Sequence, residues 1–326
     1  MQKRMVGKSR GKRILESEFA IILVLLMMCA VIAAVTPMFA STRNIINVLR
    51  RTASTGIVAV GMTFVIGTGG IDLSVGGQVT LMGVLAAMGM NNGLPAWLMV
   101  VMMFVLGVFF GLFNGIGVTL LKLPPIMVTL SLQLITFGIS LYLTNGRTIS
   151  IAGENFDYVG LGTLFGIPVP ILIFLVFIVA GLMILKRFAL GRKILAVGSN
   201  AKGAWYAGIS VVKTTIAGYV MTGVTCAMSS LILASKLLSA SATTGQGMEM
   251  DAIAAIVIGG TSLAGGSASI IGTVAGALMI EVIGNWMTLQ NVNSYLRDVV
   301  KGLIILTALI IDNIRQNKIR KNEYEG

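Results

Sequence analysis

Histidine is absent from this 326-residue chain, which excludes a Ser-His-Asp catalytic set, a His-liganded zinc site and a histidine proton relay. Charge is scarce: Asp, Glu, Lys and Arg together make up 11% of residues, against roughly 25% in soluble domains. Cysteine is limited to two residues, Cys29 and Cys226, both inside apolar runs, so they read as packing groups rather than a disulfide. Proline occurs six times, which leaves long segments free to be helical. What remains is 56% hydrophobic with 40 glycines, and the apolar runs reach the roughly 17–25 residues that cross a bilayer as a helix. The reading is an all-α, polytopic transmembrane helical bundle.

The net charge of +12 is not spread over one face. It gathers in Lys3, Arg4, Lys8, Arg10, Lys12 and Arg13, again at 186 to 193, and again in Arg315, Lys318, Arg320 and Lys321. Such flanking clusters set membrane topology and do not make a nucleic-acid surface. The first cluster precedes an apolar run from Phe19 to Val35, longer than the 7–15 residue core of a cleaved signal peptide, so it is read as a retained span. Gly7-Lys8-Ser9 ends like a phosphate-binding loop, but the first glycine of that motif is missing and no strand precedes it. The chain is expected to hold no nucleotide, metal or other cofactor of its own.

Ten spans are predicted near 19 to 36, 55 to 68, 76 to 90, 96 to 121, 125 to 143, 168 to 186, 212 to 235, 250 to 264, 270 to 287 and 297 to 312. They divide the chain into a basic N-terminal tail (1–18), a membrane domain (19–312) with an internal loop at 187–211, and a C-terminal tail (313–326). Placing the Lys- and Arg-rich segments inside puts both termini and that loop in the cytoplasm after an even number of crossings. Arg43, Arg50 and Arg51 resist this scheme, and the stretch 41–54 is expected to lie along the membrane interface with its arginines snorkelling.

Two stretches are short and glycine-rich. An apolar run from Gly56 leads into IDLSVGG, and another from Ala252 leads into TSLAGG, as if a duplication had placed equivalent helix breaks in two halves. The alternative is that the glycines serve close helix packing. Asp72 either caps a broken helix or lines a path, and Asp251 either complements a helix dipole or works at a gate. Together with Ser74, Asn114, Glu249, Thr261 and Ser262 they form the candidate translocation path. Asp298 and Lys301, three apart, are expected to pair.

The internal loop, FALGRKILAVGSNAKGAWYAGISVVKTT from Phe188, is longer than the 2–8 residues a helical connector needs, so it is read as a docking surface. It resembles the coupling segment of permeases of the ribose-type monosaccharide importers of the ATP-binding-cassette class, through Gly191, Arg192, Ala196, Gly198, Asn200, Gly208 and Ile209. GMTFVIGTGGIDLSVGG (Gly61–Gly77) and MDAIAAIVIGGTSLAGG (Met250–Gly266) match that family as well. The resemblance implies a bacterial inner-membrane permease subunit with broken or re-entrant helices, working with a second copy or a paralogue. Its partners would be a cytoplasmic ATPase that binds ATP and Mg, an extracytoplasmic solute-binding protein, and membrane lipid. Lys202, Gly203, Trp205 and Tyr206 depart from the usual residues, as do Ser267 to Ser269 and Phe137, so the solute is not carried over. A stand-alone ion-coupled transporter is the alternative.

Overall fold

The computed structural model describes residues 2–151 and 156–324, with the side chains of 1–17, 311, 313 and 315–326 outside the description. The two terminal basic clusters and Gly7-Lys8-Ser9 therefore lie outside the described side chains.

Among the described residues thirteen helices follow one another: α1 (Gln2–Val35), α2 (Thr42–Gly67), α3 (Val75–Asn91), α4 (Ala96–Thr119), α5 (Pro125–Thr144), α6 (Tyr158–Leu161), α7 (Val169–Lys186), α8 (Ala189–Ser199), α9 (Ala201–Tyr206), α10 (Val211–Leu237), α11 (Met248–Ile258), α12 (Ile270–Leu289) and α13 (Ser294–Tyr324). Six of these are long and apolar enough to cross a membrane: α4, α5, α7, α10, α12 and the Glu18–Val35 part of α1.

Local chemistry explains the boundaries. Ser41, Ser210 and Ser269 accept hydrogen bonds from the first-turn amides of α2, α10 and α12, the N-cap arrangement that satisfies otherwise orphan donors. Pro125 opens α5, and Asn145 closes it in the left-handed region at φ 48°, as a C-terminal cap requires.

Two expectations are corrected. The stretch 41–54 is not an interfacial helix: it is the first half of α2, with Asn44, Val48 and Thr52 buried against the bundle. Asn44 exchanges hydrogen bonds with Asn285 of α12, 2.9 Å in each direction, and Arg51 pairs with Glu281 at 3.4 Å. These partners tie the arginine-bearing segment to α12. The span placed at 250 to 264 is likewise an 11-residue helix that stops at Ile258, about 16 Å long and too short to cross.

The bundle has a buried centre. Along α2, Ile57 to Ile66 have almost no exposed surface, because α10, α12, α7 and α11 surround that half of the helix. The tightest seam joins α4 to α10. Gly107, Gly111 and Gly115 recur every four residues on one α4 stripe, and a β-carbon on each would fall within 2.3 to 2.8 Å of α10 backbone at Gly223, Val220 and Ile216. Without side chains the two backbones approach closely, the small-residue packing favoured in membranes. Outer helices instead expose apolar residues, such as Leu26 on α1, Val105 on α4, Leu134 on α5 and Val176 on α7.

The two ends of the bundle differ. At one, β1 (Ile149–Ser150) pairs antiparallel with β4 (Ser239–Ala240), beside the small hairpin of β2 (Thr163–Leu164) and β3 (Ile167–Pro168); this is called the β end below. At the other, the loop end, lie α8 and α9.

Candidate functional site

Both glycine-rich breaks are present. α2 stops at Gly67 and α3 begins at Val75; α11 stops at Ile258 and α12 begins at Ile270. The chain needs glycine here for two reasons. Gly69, Gly260, Gly265 and Gly266 all have φ between 76° and 85°, a region side chains disfavour. The breaks also touch, since the Gly266 amide donates to the Gly67 carbonyl at 3.1 Å.

The internal loop closes on the same spot. A β-carbon on Gly198 of α8 would come within 2.0 Å of the Gly67 oxygen and 2.5 Å of the Gly266 nitrogen. Ser199 Oγ donates to the Gly266 carbonyl at 3.4 Å, and Ile194, fully buried, packs over Gly67. One helix of the loop is thus seated on the ends of both broken helices.

The other loop residues singled out from sequence hold this helix in place. Gly191 lets α8 turn back against the carbonyl of Ile184. The exposed Arg192 donates to the carbonyl of Arg187, and Ala196 is half-buried. Asn200 caps α9 by accepting from the Gly203 amide at 2.9 Å. Gly208, at φ 79°, and the Ile209 amide, donating to the Ala204 carbonyl, terminate α9. The outward surface carries Arg192, Lys193, Lys202, Trp205 and Tyr206, the two aromatic rings edge to face at 5.0 Å.

The candidate path residues separate into three places. Asp72, Ser74 and Asn114 form one cluster, fully buried between α3 and α4. Asp72 Oδ1 accepts from the Ser74 amide at 2.9 Å and from the Ser74 hydroxyl, Asn114 Nδ2 reaches both Asp72 oxygens at 3.4 Å, and Asn114 and Gln78 both donate to Ser74 Oγ. The carboxylate therefore closes a turn over the amide of Ser74, the residue that precedes α3. Thr261 and Ser262 lie in the second break, where Thr261 Oγ1 accepts from the Ser269 amide at 3.0 Å and Ser262 Oγ from the Ala264 amide at 3.2 Å. Ser269 also donates its hydroxyl to Glu18 of α1.

Glu249 and Asp251 stand apart on the first turn of α11. Their depth follows from Gly76: a β-carbon there would meet both the Gly245 carbonyl oxygen and Glu249 Oε2 at 2.4 Å. Gly76 precedes the β-end terminus of α3 at Asn91 by fifteen residues, so α11 starts about 22 Å below that terminus. The segment 241–247 thus descends into the bundle before α11 begins. Glu249 lies beside Gln133 of α5. Asp251 pairs with Lys301 of α13 at 2.9 Å, so Lys301 bonds across helices and not with Asp298 three residues away.

Sequence reading missed Gln78 and Glu18 and gave Lys301 the partner Asp298 in place of Asp251. Gln78 had a signal, standing one turn after Ser74 on the same helical face; Glu18 and Lys301 are joined to their partners by tertiary contact only. Among the described residues no cluster of three or more Cys, Asp or Glu could hold a metal.

The family described as branched-chain amino acid transport system / permease component matches residues 44–309. The chain is 38% identical over 307 residues to a ribose import permease protein of Haemophilus influenzae, covering 93% of this chain and 94% of that protein. A ribose import permease protein of Escherichia coli K12 is 36% identical over 299 residues, covering 90% and 93%. A xylose transport system permease protein of Haemophilus influenzae is 34% identical over 343 residues, covering 86% and 92%. No solved structure matches the chain.

Proposed function

The chain belongs to the family of branched-chain amino acid transport system permease components, and on that premise we propose that it is the membrane-spanning permease subunit of an ATP-driven importer for a monosaccharide or similar polyhydroxylated solute. The family description speaks of amino acids, but the relatives at 34–38% identity are named for ribose and xylose, and that favours the sugar reading.

The observation that carries the proposal is the meeting of Gly67, Gly198 and Gly266. A segment with a basic, aromatic outer surface rests its inner side on the backbone of both broken helices, so displacing it displaces both breaks. The partner outside is a cytoplasmic ATPase, which supplies ATP and Mg chemistry that this chain lacks the motifs for. Solute arrives from a binding protein on the opposite side. The loop end is then cytoplasmic, in keeping with its lysines and arginines, and the β end faces the binding protein.

The path runs along the face between α5 and α13, where α11 begins at mid-depth. Glu249, Asp251 and Lys301 there would each cost roughly 2.5–3.5 kcal/mol against hydrocarbon. A second copy or a paralogue covering that face, with water between the two, removes the penalty.

Two measurements test the reading. Deleting the gene should abolish binding-protein-dependent uptake of D-ribose or D-xylose, or of whichever pentose or hexose supports growth of the parent strain. Purified protein in liposomes without an ATPase should move none of these sugars; facilitated flux by the chain alone would sink the proposal.

A further inference from the structure

Glu249 is the acidic residue of α11 that no cation neutralises among the described residues. Asp251, two residues on, is matched by Lys301 at 2.9 Å. Glu249 instead has Gln133 of α5 beside it, while its Oε2 has no hydrogen-bond partner among the described residues and rests against Gly76. The residue is 7% exposed. Its carboxylate therefore acts from beneath the surface as a held charge, not as a mobile ligand.

The position determines what that charge can do. A helix that starts at mid-depth presents unpaired amides and the positive end of its dipole, which attract anions. With Glu249 built into that first turn the sign is reversed. Between Glu249, turned toward α3 and α5, and Asp251, turned toward α13, stands Met250, 45% exposed. It marks the surface that a passing solute would meet.

We propose that Glu249 is the charge filter of the path: it repels anionic solutes, such as sugar acids and sugar phosphates, and leaves neutral polyols and cationic solutes free to pass. This rests on the path lying between α5 and α13 as proposed above. Each copy in a pair contributes one such charge, and a unit charge within about 8 Å alters the local concentration of a charged solute several-fold even in a watery cleft.

The test uses a reporter thiol. Met250→Cys is made in a chain whose Cys29 and Cys226 are replaced by alanine, and the full transporter complex in membrane vesicles is treated with a cationic trimethylammonium or an anionic sulfonate methanethiosulfonate reagent. After correction for their rates with a free thiol, the cationic reagent should react about tenfold faster. Adding Glu249→Gln should bring the ratio towards one, and so should raising salt to about 1 M, which shortens the screening length to about 3 Å. Equal rates for both reagents in the Glu249 parent would leave the path reading standing and overturn the filter. A cationic preference that survives both Glu249→Gln and high salt would overturn it too. No reaction with either reagent in any transport state would remove the path from this face, and the filter with it.

Discussion

Gly198 and Gly67 touch backbone to backbone: a β-carbon on Gly198 would stand 2.0 Å from the Gly67 carbonyl oxygen. No side-chain rotation relieves such a contact, so the loop helix α8 and the end of α2 can separate only by moving a helix. Gly198→Ala should therefore leave the protein in the membrane but shift α8 off the breaks, at a cost of roughly 1–3 kcal/mol. Uptake should fall by about tenfold or more while ATP hydrolysis by the complex continues. Parallel measurement of uptake and hydrolysis checks this, and normal uptake would deny α8 its coupling role.

Asp72 is expected to matter first for stability. Asp72→Ala leaves the Ser74 amide and hydroxyl without their acceptor, a loss of roughly 1–3 kcal/mol for buried unsatisfied donors. Asp72→Asn keeps an acceptor oxygen and should cost less. Thermal unfolding in detergent should rank parent above Asn above Ala; equal midpoints for the two variants would contradict the turn-closing assignment.

The Asp251–Lys301 pair ties α11 to α13. Either single charge reversal, Asp251→Lys or Lys301→Asp, should lower the yield of folded protein on gel filtration, because like charges then oppose each other in a partly buried site. The double reversal should recover much of it. Failure of the double variant to exceed the singles would mean the pair is incidental.

Glycines on this chain are not equivalent. A β-carbon on Gly223 would fall 1.9 Å from the Gly107 carbonyl oxygen, whereas one on Gly284 meets nothing within 4 Å. Gly223→Ala should lower the unfolding midpoint and Gly284→Ala should leave it unchanged or raise it slightly. The same thermal assay compares them.

How much of this was legible in the sequence differs by feature. The breaks were readable because glycine clusters inside apolar runs have few other uses, and the internal loop because its length exceeds what a connector needs. The path was not readable as one site. Asp72 and Asp251 look alike in sequence, each an acid flanking an apolar run, yet one closes a turn before α3 inside a sealed amide cluster and the other pairs with α13 on an outer face. The arginines of 41–54 suggested a surface segment, since sequence could not reveal that Glu281, far along the chain, awaits Arg51.

The sequence by itself determined that this is a helical membrane protein, because apolar run length acts locally and needs no partner to be interpreted. Only the tertiary structure decided that both breaks and the loop meet at three glycines, and that among the described residues Asp251 has a cation beside it while Glu249 does not. Those distinctions depend on which helix faces which, and facing is set by packing among residues that stand, as Glu18 and Ser269 do, 251 residues apart.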